Sequence, residues 1–315
     1  MLVSYRRAGG TSCGVLSGRG VVDVRAVWPG PNPPKDIVDI LQRGADCLAK
    51  IKESAEAADI TTPLEEVKLL TPLKRPGKIL ALAGNYSEHI EEAALEKGFK
   101  LGLSEAARQT TVPRPFLKPA TTVIGPGDEI PWPGYSEQID YEIELAVVIG
   151  KKAKCVEQED AIEYVAGYTI ANDVSARSVT FKNGRQNRPW DEFYDWLAGK
   201  WADGFCPMGP YLVTADEIPD AQNLKMELKV NGVTRQKANT GRMIYPVADV
   251  VSFLSHIMTL EPGDVVLTGT PSGVAVATGN FLRQGDKIEC TIERLGTLCN
   301  ALGTVPRRFY KPLVT

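Results

Sequence analysis

Short runs of β-branched and other apolar residues, some with alternating polar positions, recur along most of the chain, and this pattern is typical of β-strands. The pattern predicts strands at residues 2–5, 14–16, 21–24, 79–82, 141–149, 167–172 and 265–268, and two strands around a turn within 287–299. Strands therefore dominate the expected fold.

Apolar residues recur at helical spacing in three segments, residues 36–48, 158–164 and 247–258. The last segment ends before the Pro-Gly-Asp turn at 262–264, which stops a helix. Because strands outnumber helices and do not alternate with them regularly, we expect a mixed α+β, β-rich fold rather than a doubly wound sheet.

The chain is expected to have two domains, a small N-terminal domain at 1–70 and a main domain at 71–315. The Pro- and Gly-containing stretch 71–78 is the expected linker. All the candidate chemistry falls in the larger part, so we expect residues 71–315 to fold and dimerise without the first seventy.

Charge and cysteine content narrow the class of protein. Lys+Arg 36 against Asp+Glu 39 in 315 residues gives a net charge of −3, which argues against a nucleic-acid or membrane partner. No apolar run approaches the ~20 residues that a membrane-spanning helix needs. The six cysteines are scattered without a CxxC pair, which indicates a reducing compartment. We expect a soluble, cytoplasmic protein.

Three acidic residues are candidate metal ligands. Glu142 and Glu144 share one face of a predicted strand, and two such carboxylates repel each other unless a cation lies between them. Asp173 follows the strand at 167–172 and offers a third oxygen. Such a set suits Mg²⁺ or Mn²⁺. The alternatives are two surface acids on an edge strand and an Asp that caps a turn.

The chain has two histidines, so any imidazole acid–base step must use His89 or His256. His256 lies off the apolar side of its helix and is interpreted as a solvated residue. If a helix begins near Ser87, His89 and Glu92 share one face, and the carboxylate can orient the imidazole. A surface pair is the alternative.

Supporting candidates lie near these acids in sequence. Arg177 follows Asp173 by four residues and would share its face if that turn is helical, and Lys200 follows an aromatic-rich segment at 190–196. The loop 268–273, which contains Thr270, has small residues that let backbone N–H groups approach an anion, although it could equally be a structural turn.

Five ordered motifs together resemble the fumarylacetoacetate hydrolase family. They are Gly84-Asn85-Tyr86-Ser87-Glu88-His89, Phe116-Leu117-Lys118-Pro119, the stretch 140–150 (DYEIELAVVIG), the stretch 167–177 that ends in Asn172-Asp173-Val174-Ser175-Ala176-Arg177, and 267–274 (LTGTPSGV). The resemblance spans about residues 78 to 300. It implies a β-roll catalytic domain preceded by a small N-terminal α+β domain, and a homodimer.

The resemblance also implies roles for individual residues. Mg²⁺ (or Mn²⁺) would be held by Glu142, Glu144 and Asp173 and would bind a 2-oxo acid substrate. His89 with Glu92 would activate water. Lys200 and Arg177 would stabilise negative charge, and Thr270 would help to bind the substrate. Lys182 is an alternative to Lys200, because the segment between Arg177 and Lys200 is long.

The expected function is therefore metal-dependent cleavage of a C–C bond in a 2-oxo acid or 2,4-dioxo acid, as in an acylpyruvate hydrolase, by metal-chelated enolate chemistry. Decarboxylation of oxaloacetate and isomerisation or hydration of 2-hydroxydienoates are alternatives on the same site. A non-catalytic oxo-acid-binding protein is the alternative from another class. The two long loops expected to border the substrate hold Arg108, Arg114, Arg185 and Arg188. These arginines are compatible with a polar or doubly anionic substrate, and solvated loops are the default interpretation.

Overall fold

The computed structural model describes residues 1–18, 20–59, 61–88, 111–179, 181 and 184–310. The strands, numbered in chain order, are β1 Leu2–Arg7, β2 Gly10–Ser17, β3 Gly20–Asp23, β4 Lys68–Leu70, β5 Ile79–Leu82, β6 Pro115–Lys118, β7 Val123–Ile124, β8 Glu129–Ile130, β9 Gln138–Asp140, β10 Ile143–Ile149, β11 Val165–Asn172, β12 Ser175–Arg177, β13 Cys206–Thr214, β14 Lys225–Val230, β15 Val233–Asn239, β16 Val265–Leu267, β17 Lys287–Ile292 and β18 Gly296–Leu302. The strand-rich, mixed fold class predicted from the sequence is confirmed.

A long mixed sheet runs in the order β3-β2-β1-β13-β11-β10-β16-β5-β6. Strand β10 lies at its centre, and every residue of β10 is buried because both its faces are covered. In the antiparallel pairing of β10 with β11, Ile143 faces Asn172 and Glu144 faces Ala171. This register carries Asp173, which follows β11, back to the start of β10, where its N–H donates to Glu142 O at 2.8 Å.

A second sheet of order β15-β14-β17-β18-β8 packs over the central strands, and β9 pairs with β12 in a two-stranded ribbon. Leu145 and Val147 of β10 share a buried apolar cluster with Leu228 of β14 and Ile288 of β17. The two glutamates therefore face the side of β10 opposite this cluster, since side chains alternate along a strand.

The α-helices in the described part of the chain are Val24–Val27, Ile37–Gln42, Ala45–Glu56, Asp191–Ala198, Val247–Ile257 and Ala275–Thr278. The helix predicted from Asp36 is two helices, because Gly44 between them has φ +84°, a backbone conformation that glycine adopts without strain. The segment predicted as a helix at 158–164 is a 3₁₀-helix, Gln158–Tyr164. Helix Val247–Ile257 agrees with its prediction within a residue.

Residues 1–70 share a sheet and a core with the rest of the chain. Strand β1 pairs antiparallel with β13, with Leu2 opposite Leu212. One buried cluster contains Ile37 and Ile40 of the N-terminal part together with Val148 of β10 and Leu212 of β13. The boundary near residue 71 remains a prediction, but this shared core changes what we expect of a truncated chain.

No helix among the described residues is long and apolar enough to cross a membrane.

We predict that residues 71–315 alone will not fold stably. Removal of residues 1–70 exposes β13 as a sheet edge and uncovers Val148 and Leu212. Each buried aliphatic side chain contributes about 1.5–3 kcal/mol to the free energy of unfolding. A whole domain is stable by only about 5–15 kcal/mol, so losing several such contacts is sufficient. Circular dichroism during heating checks this. A cooperative transition at the full-length midpoint would contradict it and restore the two-domain expectation.

Candidate active site

Three buried carboxylates meet at the start of β10. Glu142 lies directly before the strand, Glu144 is its second residue, and Asp173 follows β11. One ligand oxygen from each lies within 4.8 Å of the others, and all three residues are buried. The structure thus brings together the three acids that the sequence singles out. The pairing of β10 with β11 brings these acids together, because Asp173, at the end of β11, becomes a neighbour of Glu142 and Glu144 at the start of β10.

Two buried lysines contact this group. Lys200 Nζ donates to Glu142 Oε2 at 2.9 Å and to Asp173 Oδ2 at 2.7 Å. Lys118 Nζ donates to Asp173 Oδ1 and, at 2.7 Å, to the backbone oxygen of Lys200. Each carboxylate oxygen of Asp173 therefore accepts a hydrogen bond from one lysine. Charge-assisted bonds of this kind hold the carboxylate in one orientation.

Arg177 closes the other side of the site. It ends strand β12, which pairs with β9, so the helical turn that would put it on the face of Asp173 does not form. Its Nη2 donates to Glu142 Oε1 at 2.6 Å and its Nε to Asp140 Oδ2 at 3.0 Å. Asp140 also accepts from the N–H groups of Ala275 and Val276, at 2.6 and 3.1 Å. Arg177 is thus fixed between two carboxylates.

Burial and crowding shift the acid–base properties of these groups. Burial raises the pKa of the Glu144 carboxyl well above its ordinary value, and the charges of Asp173 and Glu142 raise it further. Burial lowers the pKa of the Lys200 ammonium, but Asp173 and Glu142 outweigh it, so that its pKa is raised. Lys200 is therefore a persistent cation, and Glu144 is the acid whose ionised form most needs another positive charge.

The donor set fits a divalent cation. Three carboxylates supply oxygen atoms, which hard ions such as Mg²⁺ and Mn²⁺ prefer, and no His or Cys takes part among the described residues that form the group. The raised pKa of the Glu144 carboxyl also fits a divalent cation at this site. A nearby cation stabilises the ionised carboxylate, which burial destabilises.

The loop after β16 runs along the carboxylate strand. Gly269 N donates to Glu144 Oε2 at 2.6 Å, while the Thr268 and Thr270 hydroxyls donate to Leu145 O and Ile143 O, each at 2.9 Å. Gly269 has φ +91°, and a Cβ there would lie 2.8 Å from Asn85 Cβ, so the approach requires glycine. The Thr270 hydroxyl is thereby turned toward the strand.

Asn85 anchors the motif that leads to His89. Its Nδ2 donates to Thr268 O at 2.8 Å and to Tyr245 O at 3.1 Å, and its Oδ1 accepts from Tyr245 N at 2.8 Å. Strand β5 therefore ends against the loop that contacts Glu144. His89, Glu92, Lys182 and Arg108 lie outside the described residues, so their predicted roles stay predictions.

Aromatic rings flank Lys200. Its Nζ lies 5.6 Å from the ring centre of Phe116 and 5.7 Å from that of Trp196, and the two rings meet edge to face. Ring faces attract a cation and shield it from water. The aromatic-rich segment noted in the sequence thus supplies part of the lysine's surroundings, through helix Asp191–Ala198.

Three more predicted residues, His256, Arg185 and Arg188, do not belong to the group formed by Glu142, Glu144 and Asp173. His256 is exposed on helix Val247–Ile257, as expected. Arg185 pairs with Asp195, and Arg188 pairs with Asp191 at 3.1 Å, so both contact acids of their own segment. Sequence reasoning assigned no role to Lys118, Asp140 or Gln236. The first two belong to the quoted motifs, but the exposure of Leu117 and the burial of Lys118 become visible only in the fold.

Comparison with known proteins identifies the class to which this fold and site belong. The model of the fumarylacetoacetate (FAA) hydrolase C-terminal domain matches residues 78–303, and the chain belongs to the fumarylacetoacetate hydrolase family. The family resemblance seen in the sequence is confirmed.

Relatives with assigned names cover most of the chain. The rat (Rattus norvegicus) protein named oxaloacetate tautomerase Fahd2a, mitochondrial, is 39% identical over 285 residues, covering 90% of this chain and 84% of the relative. The human (Homo sapiens) oxaloacetate tautomerase FAHD2B, mitochondrial, is 38% identical over 290 residues with the same coverage.

Solved structures share the fold over nearly the whole chain. Maleylpyruvate hydrolase from Sphingobium sp. SYK-6, in complex with manganese(II) and pyruvate, matches with a TM-score of 0.71 and 30% identity, covering 96% of this chain and 99% of that one. The 5-carboxymethyl-2-hydroxymuconate delta-isomerase of Mycobacterium smegmatis has a TM-score of 0.70 and 30% identity, covering 96% and 98%. The family thus includes enzymes named as hydrolase, isomerase and tautomerase.

We predict that Glu144→Gln will weaken Mn²⁺ binding without harming the metal-free fold. Glutamine keeps an acceptor for Gly269 N and removes the charge that burial disfavours. A carboxyl whose pKa is raised on folding stabilises the protein at low pH and loses that contribution as pH rises through the raised value. The metal-free variant should therefore melt at or above the wild-type temperature at neutral pH.

Added Mn²⁺ should then raise the melting temperature of the wild type much more than that of the variant. Isothermal titration should show at least about a tenfold loss of affinity, the lower end of what even groups next to metal ligands cost. The exposed Glu261→Gln is the control, since Glu261 pairs only loosely with Lys152 at 3.8 Å. Equal Mn²⁺ affinity in Glu144→Gln and Glu261→Gln would refute the assignment.

Proposed function

We propose that the protein is a divalent-metal-dependent enzyme that interconverts the keto and enol forms of a 2-oxo dicarboxylic acid of the oxaloacetate type. The observation that carries the proposal is the buried group of Glu142, Glu144 and Asp173 with the cations Lys200 and Arg177 against it. Such a site can hold a metal ion and an anion side by side. Relatives named as oxaloacetate tautomerases are 38–39% identical to the chain.

Glu142, Glu144 and Asp173 would hold the metal, Mg²⁺ or Mn²⁺, and a bound metal would supply Lewis-acid polarisation of a 2-oxo carboxylate. The likeness to a structure that contains manganese(II) and pyruvate supports this arrangement. Both ions prefer oxygen ligands, and parallel calorimetric titrations with Mg²⁺ and Mn²⁺ measure which of them binds more tightly.

The residues of the chain itself would handle charge and protons. Enolisation removes a proton from C3 and places negative charge on the C2 oxygen. Lys200 stays protonated and can donate to this oxygen. The rings of Phe116 and Trp196 beside its ammonium exclude water, which strengthens the interaction. Arg177, fixed by Asp140, can offer positive charge to a carboxylate of the substrate. His89, oriented by Glu92, is the proposed group that takes up and returns the C3 proton.

C–C bond hydrolysis of an acylpyruvate is the second candidate, and the match to maleylpyruvate hydrolase favours it. There His89 would activate water for attack on the distal carbonyl. The names of the relatives lead us to rank tautomerisation ahead of hydrolysis, which the sequence alone ranks first. Oxaloacetate decarboxylation and 2-hydroxydienoate isomerisation need the same enolate, and the likeness to a delta-isomerase favours the latter over hydration.

We further propose a homodimer and a cytoplasmic location, both carried over from the sequence. Several relatives have names that include the word mitochondrial, so location is a separate question from the reaction. Size-exclusion chromatography with light scattering tests the first, and fractionation of the source cells tests the second.

We predict that the protein with Mn²⁺ or Mg²⁺ will accelerate ketonisation of enol-oxaloacetate, followed by the loss of enol absorbance, and that chelator will abolish the acceleration. Lys200→Met should lower kcat by about 10²–10³-fold, the usual effect of removing one donor to a developing oxyanion. Lys229→Met, a surface lysine paired with Glu227, is the matched control. No acceleration above a metal-only blank would contradict the tautomerase proposal.

His89→Ala tests the proposed base in both candidate reactions, because His89 would move the C3 proton in one and activate water in the other. If water is activated, C–C hydrolysis of acylpyruvates should fall by about 10²–10⁴-fold, the typical contribution of a positioned base, while Mn²⁺ affinity stays unchanged. Pyruvate release measures hydrolysis and calorimetry measures affinity. Full hydrolysis by His89→Ala would exclude His89 as the base, and equal loss of tautomerisation would mean that His89 moves the C3 proton.

A further inference from the structure

Gln236 connects two parts of the site, the Glu142–Glu144 segment and the loop 268–273, although it lies on the other sheet. It belongs to β15, the edge strand of the second sheet, and its side chain is 1% exposed. The pairing of β15 with β14 skips a residue at this point, since Leu228 faces Gln236 while Lys229 faces Thr234. Arg235 is therefore the extra residue of a β-bulge. Bulges turn neighbouring side chains and are frequent beside active sites.

The Gln236 amide makes three hydrogen bonds. Its Oε1 accepts from Ile143 N at 3.0 Å, and its Nε2 donates to Thr270 Oγ1 at 2.9 Å and to Pro271 O at 2.8 Å. Because a backbone N–H must donate and a carbonyl must accept, these partners determine which end of the amide is oxygen. Ile143 lies between Glu142 and Glu144, so one amide contacts both the carboxylate segment and the loop after β16.

Thr270 closes this arrangement into a ring. Its hydroxyl donates to Ile143 O at 2.9 Å and accepts from Gln236 Nε2. A hydroxyl has one hydrogen and two lone pairs, so Thr270 Oγ1 keeps one lone pair and no hydrogen for any other partner. In this geometry the hydroxyl cannot donate to a substrate carboxylate. A direct substrate contact through Oγ1 would need a donor on the substrate.

The bulge also supports the loop through its backbone. Gly273 has φ +101°, and a Cβ at this position would lie 2.1 Å from Arg235 O. The loop therefore rests against the bulge at Gly273 and is hydrogen-bonded to the next residue of β15 at Thr270 and Pro271. Two independent contacts, one steric and one polar, link β15 to the same loop.

We propose that Gln236 is a positioning residue that fixes the loop 268–273 against the Glu142–Glu144 segment and commits the Thr270 hydroxyl to that purpose. Gln236 acts through Thr270 and Pro271 and does not itself touch the reacting atoms. The inference rests on the proposed function only for its kinetic test, because its effect on metal binding is measured without substrate.

Two variants separate the connections of Gln236. Gln236→Glu keeps an acceptor for Ile143 N and removes the two donations to the loop, so it should leave Mn²⁺ affinity near the wild-type value. It should lower kcat/KM for enol-oxaloacetate by about tenfold to a hundredfold at alkaline pH, where the glutamate is ionised. Gln236→Met removes all three bonds at similar size, and should weaken Mn²⁺ binding as well.

Gln222 offers the matched control. Its Oε1 accepts from Val247 N at 2.8 Å and its Nε2 donates to Thr240 O at 3.1 Å, the same chemistry of an amide that joins two backbone segments. Gln222→Glu and Gln222→Met should leave both Mn²⁺ affinity and kcat/KM unchanged. Melting temperatures of all four variants show how far any loss follows general destabilisation.

A double-mutant cycle tests whether Gln236 acts through Thr270. Thr270→Val should lower kcat/KM, and the combination with Gln236→Glu should cost little more than the larger single effect, because both remove the same bond. Fully additive losses, or losses in the Gln222 variants equal to those in the Gln236 variants, overturn the proposal. If the wild type does not act on oxaloacetate, the proposed function fails, while wild-type Mn²⁺ affinity in Gln236→Met would still overturn this inference.

Discussion

Repulsion among buried carboxylates is the constraint on which the site depends. The pairing of β10 with β11 forces Glu142, Glu144 and Asp173 together out of water, where like charges interact strongly. Hydrogen-bond donors around the carboxylates reduce this repulsion. Lys200 and Lys118 donate to the acids, and so does Arg177, while Gly269 gives Glu144 a neutral N–H. Among the described residues, and with Asp140 counted, four carboxylates face three cations, and a divalent ion would stabilise this negative surplus.

The same arrangement explains why the scaffold combines two sheets. The central sheet aligns the carboxylates through its register, and the bulged edge of the second sheet holds the loop beside them through Gln236 and Gly273. The N-terminal strands extend the central sheet at β13, and helices Ile37–Gln42 and Ala45–Glu56 pack against its outer face. Rigid elements on both sides thus hold the functional groups, which is what precise placement requires.

Much of this could be predicted from the sequence because the deciding signals are local. The alternation in 140–149 indicates a strand with two glutamates on one face, and the ordered motifs identify the family before any contact is known. The conformation of Arg177 was not predictable in the same way, since its strand β12 forms only by pairing with β9. Gln236 gave no local signal, because its significance comes from a bulge and from partners 34 and 93 residues away.

Lys118 illustrates the difference between what the sequence shows and what only the fold shows. Its motif was visible in the sequence, but a lysine on an edge strand is ordinarily exposed, and only the fold shows that its ammonium is buried against Asp173. The break at Gly44 is a smaller case of the same kind, since the apolar periodicity continues through it while the backbone does not.

The most direct test of the account is a crystal of the protein soaked in Mn²⁺ and measured at the manganese absorption edge. The account predicts one strong anomalous peak in contact with carboxylate oxygens of Glu142, Glu144 and Asp173. A protein that binds Mn²⁺ in solution but shows its peak elsewhere, or shows none at these three residues, would contradict it.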